Sequence, residues 1–157
     1  MEAPILPKST FRVSNKVREN LIFFICLVCM FLFLYTAHSK WIDHFRFLNG
    51  LSRVTFIGGY ALYISWLVPA AEALIALFLI IPQTYKWGLY GFTGLMTLFT
   101  GYIVSMVLWA KKLPCHCGGA IEKLSWTQHI WFNLAFIAIA VFALWLSNAN
   151  NLKFQKT

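Results

Sequence analysis

The sequence predicts an all-α integral membrane protein, a four-helix bundle with a short interfacial helix between its first two spans. Three observations predict this class. Of the 157 residues, 60% are hydrophobic. Only 11% are charged, against about a quarter in a typical soluble domain. Four apolar runs match the roughly 20 helical residues that cross a hydrocarbon core. The length suits a single membrane domain over residues 1–157.

The apolar runs set the boundaries of the predicted spans. Helices are expected because a strand can cross lipid only in a closed barrel, and the alternating pattern of a barrel is absent. Tryptophans mark the predicted ends, as interfacial aromatics do. The connector 39–58 contains "WIDHFRFLNGL", which predicts a short helix lying in the interface, or else a plain amphipathic linker. The predicted spans are 20–38, 60–82, 87–110 and 127–147, with tails at 1–19 and 148–157.

The basic residues indicate an orientation. The net charge is +8, and Lys and Arg are slightly more numerous on the side of the termini. This distribution favours cytoplasmic termini and a location in a bacterial inner membrane. The loop between the third and fourth spans is then extracytoplasmic, where disulfides persist. No nucleic-acid motif is present, so the basic residues predict contact with lipid headgroups.

That loop contains the stretch "KKLPCHCGGAIEKLSWTQH", residues 111–129. A bridge between Cys115 and Cys117 would be strained, and strained exposed bridges are the labile or catalytic ones. Gly118 and Gly119 give the backbone the freedom that such a bridge needs. The pair therefore predicts thiol–disulfide exchange. Two alternatives stay open: a copper(I) site formed by Cys115, His116 and Cys117, and a structural bridge that pins a turn.

Polar residues within the spans are further candidates. Glu72 is the only acid inside a predicted span, which predicts either a functional role or a role in helix packing through a hydrogen bond. Trp126, His129 and Asn133 share one helical face, and His129 could accept a proton from a thiol; hydrogen bonding between helices is the alternative. The "CLVC" pair, Cys26 and Cys29, predicts packing inside the first helix, or an electron relay.

Two stretches resemble a known family. "WLVPAAEALIALFLIIPQTYKWGLYGF" (66–92) is similar to the second-helix signature of DoxX-like membrane proteins, and "YIVSMVLWAKKLPCHCGGAIEKLSWTQHIWFNLAF" (102–136) resembles the methylamine-utilisation MauE branch, especially its Bacteroidetes members. The resemblance implies a four-helix inner-membrane protein that helps to mature a disulfide-rich client beside a thioredoxin-like partner. It matches Cys115 and Cys117 to the family's cysteine pair. Its polar signature positions are matched by Glu72, Trp126, His129 and Asn133.

The predicted function is therefore membrane-embedded thiol–disulfide redox chemistry that supports disulfide formation or the maturation of an extracytoplasmic client. The expected partners are the lipid membrane, a thioredoxin-like protein and a cysteine-containing client. A quinone is a candidate cofactor, although no complete path from thiol to quinone is visible in the sequence. The alternatives are a copper-handling membrane protein and a non-catalytic assembly subunit.

Overall fold

A computed structural model describes residues 15–52, 58–109 and 126–154, without the side chains of 15, 106, 109, 126 and 149–154. Every regular element in these ranges is helical, which confirms the all-α prediction. The helices are α1 (Asn15–Ile42), α2 (His44–Ser52), α3 (Ala61–Ile80), α4 (Tyr85–Trp109) and α5 (Trp126–Phe154), and a 3₁₀ turn at Gly58–Tyr60 leads into α3.

Three helical segments in the described ranges are long and apolar enough to cross a membrane: Lys16–Ile42, Gly58–Ile80 and Thr127–Asn148. Large apolar side chains on them point outward, among them Phe31 and Trp131, which are 69% and 70% exposed. Helix α4 is not among these three segments, in which only described residues are counted. The chain is therefore a multi-pass membrane protein, and the count of four spans stays a prediction.

The first helix runs past its predicted end at residue 38. It continues to Ile42, and α2 begins after a break at Asp43 alone. The backbone stays hydrogen-bonded across the break, because Asp43 N donates to Ser39 O and Phe47 N donates to Asp43 O, each at 3.0 Å. No glycine or proline lies between 39 and 49, so nothing in the sequence ends the helix there. The predicted short helix is present, and its interfacial position stays a prediction.

Ring and polar contacts fix the direction of the long helices. Phe33 of α1 lies 4.4 Å from Phe92 of α4, and seven residues later Lys40 lies 5.0 Å from the ring of Phe99, so these helices run in the same direction. Helix α5 runs the opposite way. The ring centroids of Phe136 and Phe92 lie 6.4 Å apart. Ser147, which comes later in α5, contacts Tyr85 at the start of α4.

The bundle therefore has two distinct ends. We call the end where α1 passes into α2 the junction end; α3 begins there, α4 ends there and α5 begins there. The opposite end, with the turn 81–84, the start of α1 and the end of α5, is the turn end. The segment 110–125, which includes the predicted cysteine loop, lies outside the described residues. It joins two helix ends at the junction end.

One buried stripe attaches α3 to the bundle. Its members follow one another at intervals of three or four residues, which is the spacing of a single helical face. The stripe is apolar except at two positions, Ser65 and Glu72. It consists of Ala61, Ser65, Pro69, Glu72, Ala76 and Leu79. Cys29 and Phe33 of α1, which are 0% and 1% exposed, belong to the same buried cluster as Ala76 and Leu79.

At the turn end, α3 and α4 approach each other closely. A Cβ atom added to Gly88 would lie 2.8 Å from the backbone nitrogen of Leu79, so only glycine fits at this point. The Thr84 hydroxyl donates to Phe78 O at 3.1 Å and satisfies a carbonyl in the last turn of α3. The Tyr85 hydroxyl also contacts the Ser147 hydroxyl at 2.7 Å, which joins α4 to α5.

Candidate functional site at the junction end

A buried ion pair lies inside the bundle near the junction end. Lys40 Nζ is 2.5 Å from Glu72 Oε1, and the two side chains are only 12% and 1% exposed. In a region of low dielectric constant this attraction is much stronger than in water, and each charge offsets the cost of burying the other. Glu72, predicted as a functional or packing acid, is therefore an acid whose partner is the end of α1.

Lys40 of α1 contacts three other helices, α2, α3 and α4. Its ammonium group lies 5.0 Å from the Phe99 ring of α4 and 5.8 Å from the Phe47 ring of α2. Both distances are within the range of cation–π attraction. With Glu72 on α3, these contacts place Lys40 at the point where α1, α2, α3 and α4 meet.

The second oxygen of the Glu72 carboxylate, Oε2, differs from the first in its surroundings. Among the described residues nothing donates a hydrogen bond to Glu72 Oε2, although the atom is buried. Thr36 lies beside the carboxyl group, but its hydroxyl donates to Phe33 O at 3.2 Å. A buried acceptor without a donor costs free energy, so Oε2 is able to accept a hydrogen bond from a further donor.

A second polar contact attaches α2 to α3. His44 Nε2 lies 3.1 Å from the hydroxyl of Ser65, which is fully buried. The Ser65 hydroxyl donates its single proton to Leu62 O at 2.7 Å. His44 Nε2 must therefore carry a proton and donate it to the serine oxygen. The imidazole also packs on Trp66, with the ring centroids 4.5 Å apart.

The predicted residues of the fourth span lie on α5. Asn133 is buried at 7% exposure, and His129 is half-buried, one turn nearer the junction end. His129 lies seven residues before Phe136, and Phe99 lies seven residues after Phe92, the partner of Phe136. Because α4 and α5 are antiparallel, His129 is at the level of Phe99 and hence of the ion pair. Helix α5 begins at Trp126, whose side chain is not among those that the structure describes.

The predicted cysteine chemistry lies outside the described residues. This holds for Cys115, His116, Cys117, Gly118 and Gly119, so exchange, copper binding and a structural bridge stay predictions. Within the described ranges, no group of three His, Cys, Asp or Glu side chains could hold a metal ion. The other pair, Cys26 and Cys29, consists of free thiols buried in the core at 4% and 0% exposure.

Sequence reasoning missed two members of this site. Lys40 lies beyond residue 38, where the first span is predicted to end, so the apolar pattern does not place it in the helix. A signal was available, since Lys40 lies two helical turns after Phe33, on the same stripe of α1. Ser65 had a weaker signal: it lies seven residues before Glu72, which places both on one face of α3.

The fold and the buried ion pair define a multi-pass, all-helical membrane protein with a polar site inside its bundle. The family model described as "Methylamine utilisation protein MauE" matches residues 18–146. The chain therefore belongs to the MauE family, as the resemblance predicted. The likeness to DoxX-like proteins and to Bacteroidetes members stays a prediction. No curated protein and no solved structure shows significant similarity to the chain.

Proposed function

We propose that this MauE-family protein carries out thiol–disulfide exchange on the extracytoplasmic side of a bacterial inner membrane. It would support disulfide formation in, or maturation of, a cysteine-containing client together with a thioredoxin-like partner. The family description connects such proteins with methylamine utilisation, and nothing in this chain identifies that substrate.

The observation that carries the proposal is the different placement of the two cysteine pairs. Cys26 and Cys29 are buried between helices, where the thiol of a soluble protein cannot reach them. Cys115 and Cys117 belong to the segment between α4 and α5, which connects two helix ends. Only this second pair is suited to meet a soluble partner, and the family match spans it.

The exchange conserves electrons and protons. A thiolate of the pair attacks a disulfide sulfur of the partner; one S–S bond forms, another breaks, and the leaving thiolate takes up a proton. The second cysteine then attacks the mixed disulfide and releases the partner as a dithiol. The pair is thereby oxidised to a disulfide while the partner gains two electrons. The same steps run in reverse when the partner arrives as a dithiol.

The polar site at the junction end supports this chemistry. His129 lies in the first turn of α5, close in sequence to the cysteine segment, and an imidazole nitrogen can accept a proton, so we assign it the role of acceptor for the thiol proton. Glu72, through Lys40, fixes the corner between α1 and α2 on the same end of the bundle. We assign Glu72 and Asn133 positioning roles, and Trp126 an anchoring role at the membrane surface.

Trapping of mixed disulfides tests the proposal. Cys117→Ser and Cys115→Ser variants should each stop the reaction at an intermediate, because the resolving thiol is missing. We expect at least one of them to accumulate a covalent adduct that reducing agent releases, visible by gel and identifiable by mass spectrometry. A Cys26→Ala/Cys29→Ala variant is the matched control, and it should resolve its adducts as the wild type does.

Three outcomes would contradict the proposal. One is that neither serine variant forms an adduct while both support normal disulfide formation in cells. Another is that a membrane-impermeant thiol reagent labels Cys115 and Cys117 only after the cytoplasmic face is opened. Loss of exchange in the Cys26→Ala/Cys29→Ala variant would replace the proposal with a relay through the buried pair.

A further inference from the structure

A second buried cation lies at the turn end, far from the ion pair. Arg18, in the first turns of α1, is only 9% exposed. Its Nε and Nη2 atoms are buried, and no described residue accepts a hydrogen bond from them. A guanidinium group removed from water without an anion costs several kcal/mol. This arrangement therefore requires an acceptor with negative charge.

The described part of the chain has no carboxylate to serve as that acceptor. It contains three acidic residues: Glu19, Asp43 and Glu72. Glu72 pairs with Lys40, and Asp43 lies at the junction end. Glu19 follows Arg18 directly and is exposed, and neighbouring residues do not face each other on a helix. The anion must therefore come from outside these residues.

The position of Arg18 indicates which kind of anion fits. The membrane-crossing segment of α1 begins at Lys16, so Arg18 lies near the level of the lipid headgroups. Helical side chains slant toward the N-terminus, which directs the Arg18 side chain toward the headgroup level. The planar guanidinium matches two phosphate oxygens.

We propose that Arg18 binds the phosphate group of an anionic phospholipid headgroup at the turn end of the bundle. In the proposed complex the Arg18 side chain turns so that its guanidinium donates to two phosphate oxygens, in the forked geometry that lysine cannot reproduce. The exposed Lys16 adds a screened, less specific attraction. This site is independent of the thiol chemistry proposed for the junction end.

Lipid-dependent unfolding of the purified full-length protein tests the site. The protein is held in a neutral detergent at about 0.5 M salt, where the Debye length is about 4 Å and surface attraction is screened. Phosphatidylglycerol, phosphatidylcholine or inorganic phosphate is then titrated in, and the melting temperature is followed. We expect phosphatidylglycerol to raise the melting temperature of the wild type much more than the other two do.

The variants separate binding from a structural role. Arg18→Gln should bind phosphatidylglycerol about tenfold more weakly, yet melt no lower than the wild type when only phosphatidylcholine is present. Arg18→Lys keeps the charge and loses the fork, so we expect a smaller loss of roughly threefold. The matched control is Lys16→Gln, which removes a neighbouring exposed charge and should stay within about twofold of the wild type at this salt concentration.

Other results would overturn the proposal. Affinity of Arg18→Gln within twofold of the wild type would exclude the arginine as the binding group. Equal destabilisation of Arg18→Gln in every lipid would make it a structural residue. Protection by inorganic phosphate that equals protection by phosphatidylglycerol would assign the site to a soluble anion. If Arg18→Gln does not fold, an unchanged affinity in Arg18→Lys overturns the forked phosphate contact.

Discussion

The two ends of α1 each bury a cation, and they differ in how its charge is balanced. At the junction end Lys40 meets Glu72 directly. At the turn end the buried atoms of Arg18 meet no acceptor in the described part of the chain. The comparison shows two ways to keep a charge in a membrane bundle. In the first, a neighbouring helix supplies the counter-ion. In the second, as we propose for Arg18, a lipid headgroup supplies it.

The two ends also differ in what holds their helices together. The junction end is tied by polar side chains: Lys40 to Glu72, and His44 to Ser65. The turn end combines close backbone approach, with Gly88 against Leu79, and a contact between the neutral hydroxyls of Tyr85 and Ser147. Substitutions at the junction end therefore test electrostatics, whereas those at the turn end test steric fit and a neutral hydrogen bond.

The largest effect is expected at Lys40. Lys40→Met removes one partner of the buried pair and leaves Glu72 uncompensated, which should lower the free energy of unfolding by about 3 kcal/mol. Lys16→Met is the control, because Lys16 is exposed, and it should change little. The double variant Lys40→Met/Glu72→Leu should recover most of the loss, because the remaining charge is gone. Denaturant unfolding in detergent measures all three. Equal behaviour of Lys40→Met and Lys16→Met would show that the pair contributes nothing to stability.

A smaller effect is expected at the turn end. Gly88→Ala pushes a methyl group against the backbone of Leu79 and should cost about 2 kcal/mol of unfolding free energy. Gly94→Ala is the matched control on the same helix. A Cβ there meets nothing within 4 Å, so this variant should gain up to about 1 kcal/mol from helix propensity. If both variants destabilise equally, close backbone approach is not what holds the turn end.

The smallest effect is expected at the hydroxyl contact between α4 and α5. Tyr85→Phe removes the hydrogen bond to Ser147 and should cost about 1 kcal/mol of unfolding free energy. Tyr90→Phe, on an exposed tyrosine of the same helix, should be neutral. A Tyr85→Phe/Ser147→Ala cycle measures the coupling between the two hydroxyls, and strictly additive losses would show that they do not interact.

Hydropathy predicted the helices well and their ends less well. The predicted span 60–82 compares with Ala61–Ile80, whereas 127–147 compares with Trp126–Phe154. The length of an apolar run shows how much of the chain can lie in hydrocarbon. It does not show whether the helix continues beyond the run. Helix α1 exceeds its predicted span at both ends for this reason, and both of its buried cations lie in the parts that were missed.

The site was predictable where a single residue carried the signal. Glu72 stood out as the only acid in a span, which is why a pairing role could be predicted from the sequence, and its functional role stays a prediction. Its partner could not be read in the same way, because the pair joins positions 32 residues apart in the chain. The contact of His44 with Ser65 is also long-range. Pairings of this kind depend on helix register, which composition and spacing do not determine.

The one-residue break at Asp43 has a mechanical consequence. Lys40 stands just before it and His44 just after it, and both hold α3. A displacement of α2 must therefore either stretch the contact with Ser65 or turn the end of α1 and pull the ammonium group off Glu72. The position of α2 is thereby coupled to the carboxylate inside the bundle.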